Sequence, residues 1–73
     1  MTLNVSQSGA LSNGLEVLET VCADPNGLGV SEVARITNLD KGNVHRILRS
    51  LEIRGYVEQN TTSKKYRASS HVL

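Results

Sequence analysis

Phenylalanine and tryptophan are absent from the chain, and its aromatic content is two tyrosines. Any core must therefore be assembled from leucine, isoleucine and valine, with a modest buried area and the few kcal/mol of stability usual for a domain this small. The one cysteine, Cys22, excludes an internal disulfide and has no histidine or second cysteine at metal-ligand spacing, which points to a reducing compartment and a cytoplasmic location. Long apolar runs are missing as well. Nothing approaches the roughly 20 residues that span a bilayer, and the start of the chain lacks the basic, apolar and small-residue pattern of a secretory signal, so no membrane role is expected. Repeats and low-complexity segments are also absent. With 38% hydrophobic and 21% charged residues, the make-up is that of one folded domain and not of a disordered segment.

Nor is there an excess of one charge sign, since the formal net charge is +1. The distribution is nevertheless uneven. Residues 1–34 carry Glu16, Glu19, Asp24 and Glu32 and no lysine or arginine, whereas residues 35–73 hold all eight basic side chains against three acidic ones. If the basic half folds onto one face, it forms the electrostatic footprint of a polyanion-binding surface.

Residues 1–9 show no apolar period and read as a flexible arm. Leu11, Leu15, Leu18 and Cys22, with Val21 beside them, then recur at helical steps. Asn13 followed by Glu16 resembles a capping box, so a first helix is expected from about Ser12 or Asn13 to just before Asp24-Pro25. Asn26-Gly27 marks a turn and Gly29-Val30 a short extended link. Ser31 is a suitable N-cap for a brief second helix that turns Val33, Ala34 and Ile36 inward. Thr37-Asn38-Leu39 breaks it, Asp40 caps a third helix, and Gly55 supplies the left-handed residue that ends this helix after Arg54. Within residues 40–54, Val44, Ile47, Leu48 and Leu51 fall at i, i+3, i+4 and i+7 and form the buried stripe. Residues 56–59 and 65–68 alternate in character around a polar turn, the pattern of a hairpin. Because a lone hairpin is marginal, Val57 and Tyr66 should lean on the helices, with Tyr56 also in the hairpin core. The expected fold is mainly α with a small β-hairpin (α+β), a winged helix-turn-helix of three helices plus a two-stranded wing, filling residues 10–68.

Two helices joined by a short turn, the second basic on its outer face, are the parts of a helix-turn-helix. At about 100° per residue, Gly42, Arg46 and Arg49 lie opposite the apolar stripe, with Asn43, His45 and Ser50 on the flanks. Arginine donates two hydrogen bonds to guanine in the major groove and asparagine pairs bidentately with adenine. Lys41 and the helix N-terminus suit phosphate, and the missing side chain of Gly42 lets the DNA approach the backbone closely. The following hairpin carries Lys64, Lys65 and Arg67, cations that a wing brings to backbone phosphates. The expected base contacts are therefore Gly42, Asn43, His45, Arg46 and Arg49. The expected phosphate contacts are Ser31, Lys41, Lys64, Lys65 and Arg67, in a complex with double-stranded DNA.

Blander readings exist for several of these residues. Arginines on a helix often cover only a solvated face, but here a basic wing follows in the chain. His45 has no acid, nucleophile or second ligand at a converging spacing, and His71 lies in the tail, so no enzyme activity, cofactor or metal is expected. Cys22 reads as a small buried apolar residue. The alternative from another class is a winged helix used for protein interaction or dimerisation, with Val17 and Val21 as its face. Such a module has no need of a basic third helix together with a basic wing.

The runs from Ala10 to Glu19, from Gly29 to Arg35 and from Leu39 to Glu52, followed by Arg54-Gly55-Tyr56-Val57, resemble the N-terminal domain of the isocitrate lyase regulator (IclR) family of bacterial transcription regulators. The resemblance covers about residues 10–68 and is densest in Lys41-x-x-Val44-His45-Arg46-x-Leu48 and Leu51-Glu52-x-x-Gly55-Tyr56-Val57. It implies a third helix in the major groove, a wing on the backbone and a homodimer on a palindromic operator. Asn43, Arg46 and Arg49 match outward family positions. Asp40, Gly42 and Asn43 stand where many members have proline, serine and threonine, so the base preference should differ. The resemblance further implies a larger C-terminal domain that binds a small-molecule effector, with residues 69–73 as the start of the linker to it.

Overall fold

The computed structural model describes residues 9–70. Along the chain run α1 (Ala10–Cys22), α2 (Val30–Thr37), α3 (Lys41–Ile53), β1 (Val57–Gln59) and β2 (Tyr66–Ala68). The two strands pair antiparallel with Val57 opposite Ala68, Glu58 opposite Arg67 and Gln59 opposite Tyr66. Three helices and a two-stranded hairpin are thus the observed architecture, as the sequence pattern predicts. The expected arm at residues 1–9 falls outside the described residues except for Gly9, and residues 71–73, including His71, also lie outside them.

The buried apolar residues are Val17, Val21, Leu28, Val33, Val44, Leu48, Val57 and Tyr66, five of the eight being valine. Valine is short, so the three helices approach closely around them. Tyr66 is the one large ring at the centre, 1% exposed, and it brings the hairpin onto the helices. Leu18, Val30, Ala34, Leu39, Ile47 and Leu51 pack around this cluster from the half-buried rim. The stripe expected for α3 is therefore present, with Val44 and Leu48 at its centre and Ile47 and Leu51 at its margins.

The phase expected for α1 is overturned. Val17 and Val21 are wholly buried, while Leu11 is 76% and Leu15 48% exposed and Cys22 is half-buried. The leucine stripe lies about a third of a turn away from the valines that meet the core. For the same reason, Val17 and Val21 offer no face to a protein partner. In α2 the inward residues are Val33 and Thr37, with Ala34 half-buried and Ile36 turned to solvent. Thr37 satisfies its buried hydroxyl by donating to the Val33 carbonyl at 2.8 Å. Tyr56, expected in the hairpin core, is exposed.

Helix starts differ as well. Helix α1 begins at Ala10 with Gly9 as its cap, and Asn13 sits inside it, its N–H donating to the Gly9 carbonyl at 2.9 Å. No capping box forms at Asn13. Helix α2 begins at Val30 because the Glu32 carboxylate accepts from the Gly29 N–H at 2.8 Å, which places Ser31 in the first turn and not at the cap. For α3 the expectation holds: Asp40 caps it by accepting from the Asn43 N–H at 3.2 Å, and Gly55 after it has φ +85°.

The hairpin has a third partner that periodicity does not reveal. Leu28 exchanges both backbone hydrogen bonds with Tyr66, at 2.8 and 2.7 Å, forming a one-residue bridge on the far side of β2 from β1. Gly27 makes this possible: its φ is +88°, and a Cβ there would stand 3.1 Å from the Tyr66 carbonyl oxygen and 3.3 Å from Lys65 Cβ. At the other end Ser69 is buried, its N–H donating to the Tyr56 carbonyl and its hydroxyl to that of Gly55. The segment after β2 therefore helps fasten the hairpin to the end of α3.

Burial holds the Tyr66 hydroxyl above the usual tyrosine range, the Glu52 carboxylate adds to this and Arg49 opposes it. A raised value in the folded state means that the unfolded chain loses this proton first. The associated stability is complete below the ordinary tyrosine value of about 10 and is lost as pH rises through the folded-state value. Thermal melts followed by circular dichroism should show stability falling as pH rises above that point, and Tyr66→Phe should remove this component of the pH dependence.

Candidate nucleic-acid interface

The turn between α2 and α3 is short because Asn38 adopts a left-handed conformation, φ 61°, and caps α2. Leu39 then tucks its side chain against the core, and Asp40 starts the next helix. Asparagine tolerates the left-handed region better than most residues, so three residues suffice to redirect the chain. Burial of Val44 and Leu48 fixes the rotation of α3 about its axis. Gly42, Arg46 and Arg49 are consequently exposed on the opposite side, and His45 is exposed on the flank.

The expected base-contacting residues are brought onto one helix but not onto one line. Asn43 is half-buried, and its side-chain oxygen accepts from Arg46 Nη2 at 3.0 Å. It faces a groove between α1 and α3 whose walls include Ala10, Gly14, Ile47 and Leu51. Arg49 lies on the other margin of the exposed face, with its Nε 3.6 Å from a Glu52 carboxylate oxygen. That pair is solvent-accessible and contributes little stability, so the guanidinium remains available. Gly42 has a structural duty in addition to the expected one. A Cβ there would stand 3.1 Å from Asp40 Oδ2, the carboxylate oxygen that caps the helix.

Among the expected phosphate contacts, Ser31, Lys41, Lys64, Lys65 and Arg67 are all exposed. Lys41 opens α3, and Ser31 is in the first turn of α2. The other three sit on the hairpin, whose first strand packs against α3. Arg67 shares its strand pair with Glu58, Nη2 to Oε1 being 3.7 Å, an exposed contact that leaves the arginine free to exchange partners.

Asn60 organises the wing tip, a role the sequence signalled only as an asparagine at the start of a polar turn. Its side-chain oxygen accepts from the N–H groups of Thr62 and Ser63, both at 2.8 Å. Its own carbonyl accepts from Lys64 N–H at 2.7 Å, and its N–H donates to the Lys65 carbonyl at 2.9 Å. Lys64 takes φ 67°, a left-handed conformation unusual for lysine, and Gln59 Nε2 donates to its carbonyl at 3.1 Å. The cationic end of the wing is thus a defined turn. Glu52 and Glu58, whose carboxylates approach Arg49 and Arg67, are likewise absent from the expected site residues. Their signals are the i+3 spacing from Arg49 and the cross-strand position opposite Arg67.

Among the described residues no group of three or more histidine, cysteine, aspartate or glutamate side chains is arranged to hold a metal ion. No helix among them is long and apolar enough to cross a membrane.

Residues 10–61 match the model of the IclR helix-turn-helix domain. The chain belongs to the IclR family. An HTH-type transcriptional regulator of Haemophilus influenzae is 36% identical over 64 residues, 88% of this chain and 24% of the relative. The glycerol operon regulatory protein of Streptomyces griseus is 34% identical over 64 residues, again 88% of this chain and 25% of that protein. Among solved structures, an IclR family transcriptional regulator from Brucella abortus superposes with a TM-score of 0.80 at 32% identity, covering 97% of this chain and 29% of that one. The chain thus spans about a quarter of the length of the curated relatives it matches. Three helices and a hairpin in this family make a winged helix-turn-helix, which places the chain among DNA-binding domains of transcription regulators.

Proposed function

We propose that this IclR-family domain binds duplex DNA in a sequence-specific manner, with α3 in the major groove and the wing, residues 56–68, on the phosphate backbone. The observation that carries this reading is the placement of cations. Arg46 and Arg49 are exposed on the side of α3 opposite Val44 and Leu48, and Lys64, Lys65 and Arg67 are exposed on a hairpin packed against the same helix. A helix of about 10–12 Å diameter fits the major groove, where Arg46 and Arg49 present planar donors to guanine edges. His45 and Asn43 flank them, and Gly42 keeps the first turn of the helix slim. Lys41, Ser31 and the three wing cations neutralise phosphates and fix the register.

Within the whole regulator this domain serves as the DNA-reading part of a cytoplasmic homodimer on a palindromic operator. Residues 69–73 lead toward a C-terminal domain that binds a small-molecule effector. These assignments rest on the family and on the quarter-length match to its regulators.

Salt titration tests the electrostatic half of the proposal. Affinity for any duplex should fall steeply as salt rises, because each neutralised phosphate releases counterion. Lys65→Ala should weaken binding to preferred and unrelated duplexes alike and lower the slope of log affinity against log salt by about one. Binding that ignores salt, or a Lys65→Ala defect confined to one sequence, contradicts the wing assignment.

A further inference from the structure

Arg46 and Asn43 are one turn apart on α3, and the guanidinium donates to the asparagine side-chain oxygen at 3.0 Å. The two partners differ in freedom. Both line the groove against α1, but Arg46 is exposed and has four rotatable side-chain bonds, whereas Asn43 is short and half-buried. Its backbone is fixed as well, since its N–H is the donor that the Asp40 cap accepts. A short side chain held on both counts is a fixed acceptor, and a long flexible one takes its direction from it.

From this arrangement we infer that Asn43 is a positioning residue that aims Arg46 at its base and does not itself read one. The inference rests on the proposed DNA-binding reading and assigns a division of labour within it. Donor geometry permits it. An arginine has two edges able to donate a pair of parallel hydrogen bonds, Nη1 with Nη2 and Nε with Nη2, and each edge uses a different hydrogen of Nη2. Whichever Nη2 hydrogen Asn43 takes, one edge remains whole for the O6 and N7 acceptors of guanine. The amide oxygen of Asn43, by contrast, already gives one of its two lone pairs to Arg46, which fixes the direction of a half-buried side chain before any base arrives. The bidentate pairing of asparagine with adenine needs that oxygen and the amide nitrogen together. Pre-ordering the arginine also removes rotamer freedom that base binding would otherwise have to remove.

The test is selection of bound sequences from a randomised duplex pool, followed by titration of the winning duplex, with the parent chain, Asn43→Ala, Asn43→Asp, Arg46→Ala and the Asn43→Ala/Arg46→Ala double variant. Thermal melts confirm folding. The inference expects Asn43→Ala to relax preference at the same base pair as Arg46→Ala, with an affinity loss of about 3- to 10-fold, the range of a single hydrogen bond. In the Arg46→Ala background the same change should have no further effect, a full coupling in the double-mutant cycle. Asn43→Asp keeps the acceptor, cannot donate to adenine, and should retain the base preference even if its charge weakens overall binding. Relaxation at a different base pair, or additive losses in the double variant, overturns the inference while leaving DNA binding intact. A parent chain that selects no consensus removes the reading beneath it.

Discussion

Tyr66→Ala should unfold the domain at ordinary temperatures. The ring is 1% exposed and is the largest fully buried side chain among the described residues. Removing a buried aromatic costs about 3–5 kcal/mol through lost burial and the cavity left behind. At roughly 0.05–0.15 kcal/mol per residue, 73 residues supply a stability of the same order as that loss. The neighbouring residues cannot refill the space, because most of the core is valine. Tyr66→Phe is the matching control, since it keeps the ring and should melt near the parent temperature at neutral pH. Thermal denaturation by circular dichroism distinguishes the two. A Tyr66→Ala chain with a cooperative melt close to that of the parent would show that the hairpin does not depend on this anchor.

Arg46→Ala should produce the largest change in recognition. A bidentate arginine contact to guanine contributes about 1–3 kcal/mol of discrimination, equivalent to roughly 5- to 150-fold in affinity for the preferred duplex. The loss should be confined to that duplex, because a contact to a base edge is absent from non-specific complexes. Stability should change little: Arg46 is exposed and its hydrogen bond to Asn43 is a surface one. Fluorescence anisotropy with the preferred and an unrelated duplex, at one fixed salt concentration, gives both numbers. Equal weakening on the two duplexes would move Arg46 from the bases to the phosphates.

The parts of this molecule that were legible in its sequence are those in which one strong local signal stood alone. Helix α3 has an aspartate that can only cap, an apolar stripe without competitors and a glycine at its end, and its placement followed. The hairpin was legible because strand alternation and a polar turn agreed. Helix α1 carried two competing stripes, and the leucine one had more members at helical spacing. The tertiary packing settled it: Val17 and Val21 are buried, Leu18 packs at the margin of the core, and Leu11 and Leu15 stay exposed. The start of α2 was missed because Glu32 reaches back to Gly29, so a carboxylate and not the serine hydroxyl set the boundary. Two tertiary features, the Leu28 bridge to Tyr66 and the burial of Ser69, have no local pattern at all. In the recognition face, residue types and the side of the helix were readable, but the pairing of Asn43 with Arg46 depends on side-chain direction, which spacing alone does not give.

The bridge from Leu28 to Tyr66 has a mechanical consequence. It ties the segment leading into α2 to the inner edge of the wing, while Ser69 fastens the wing's other end to the exit of α3. Recognition helix and wing are thereby clamped together like the jaws of a caliper set to one opening. If α3 and the wing dock as proposed, a duplex whose groove width does not suit that opening has to deform in order to bind. Sequences that flex at low cost are therefore favoured at base pairs no side chain touches.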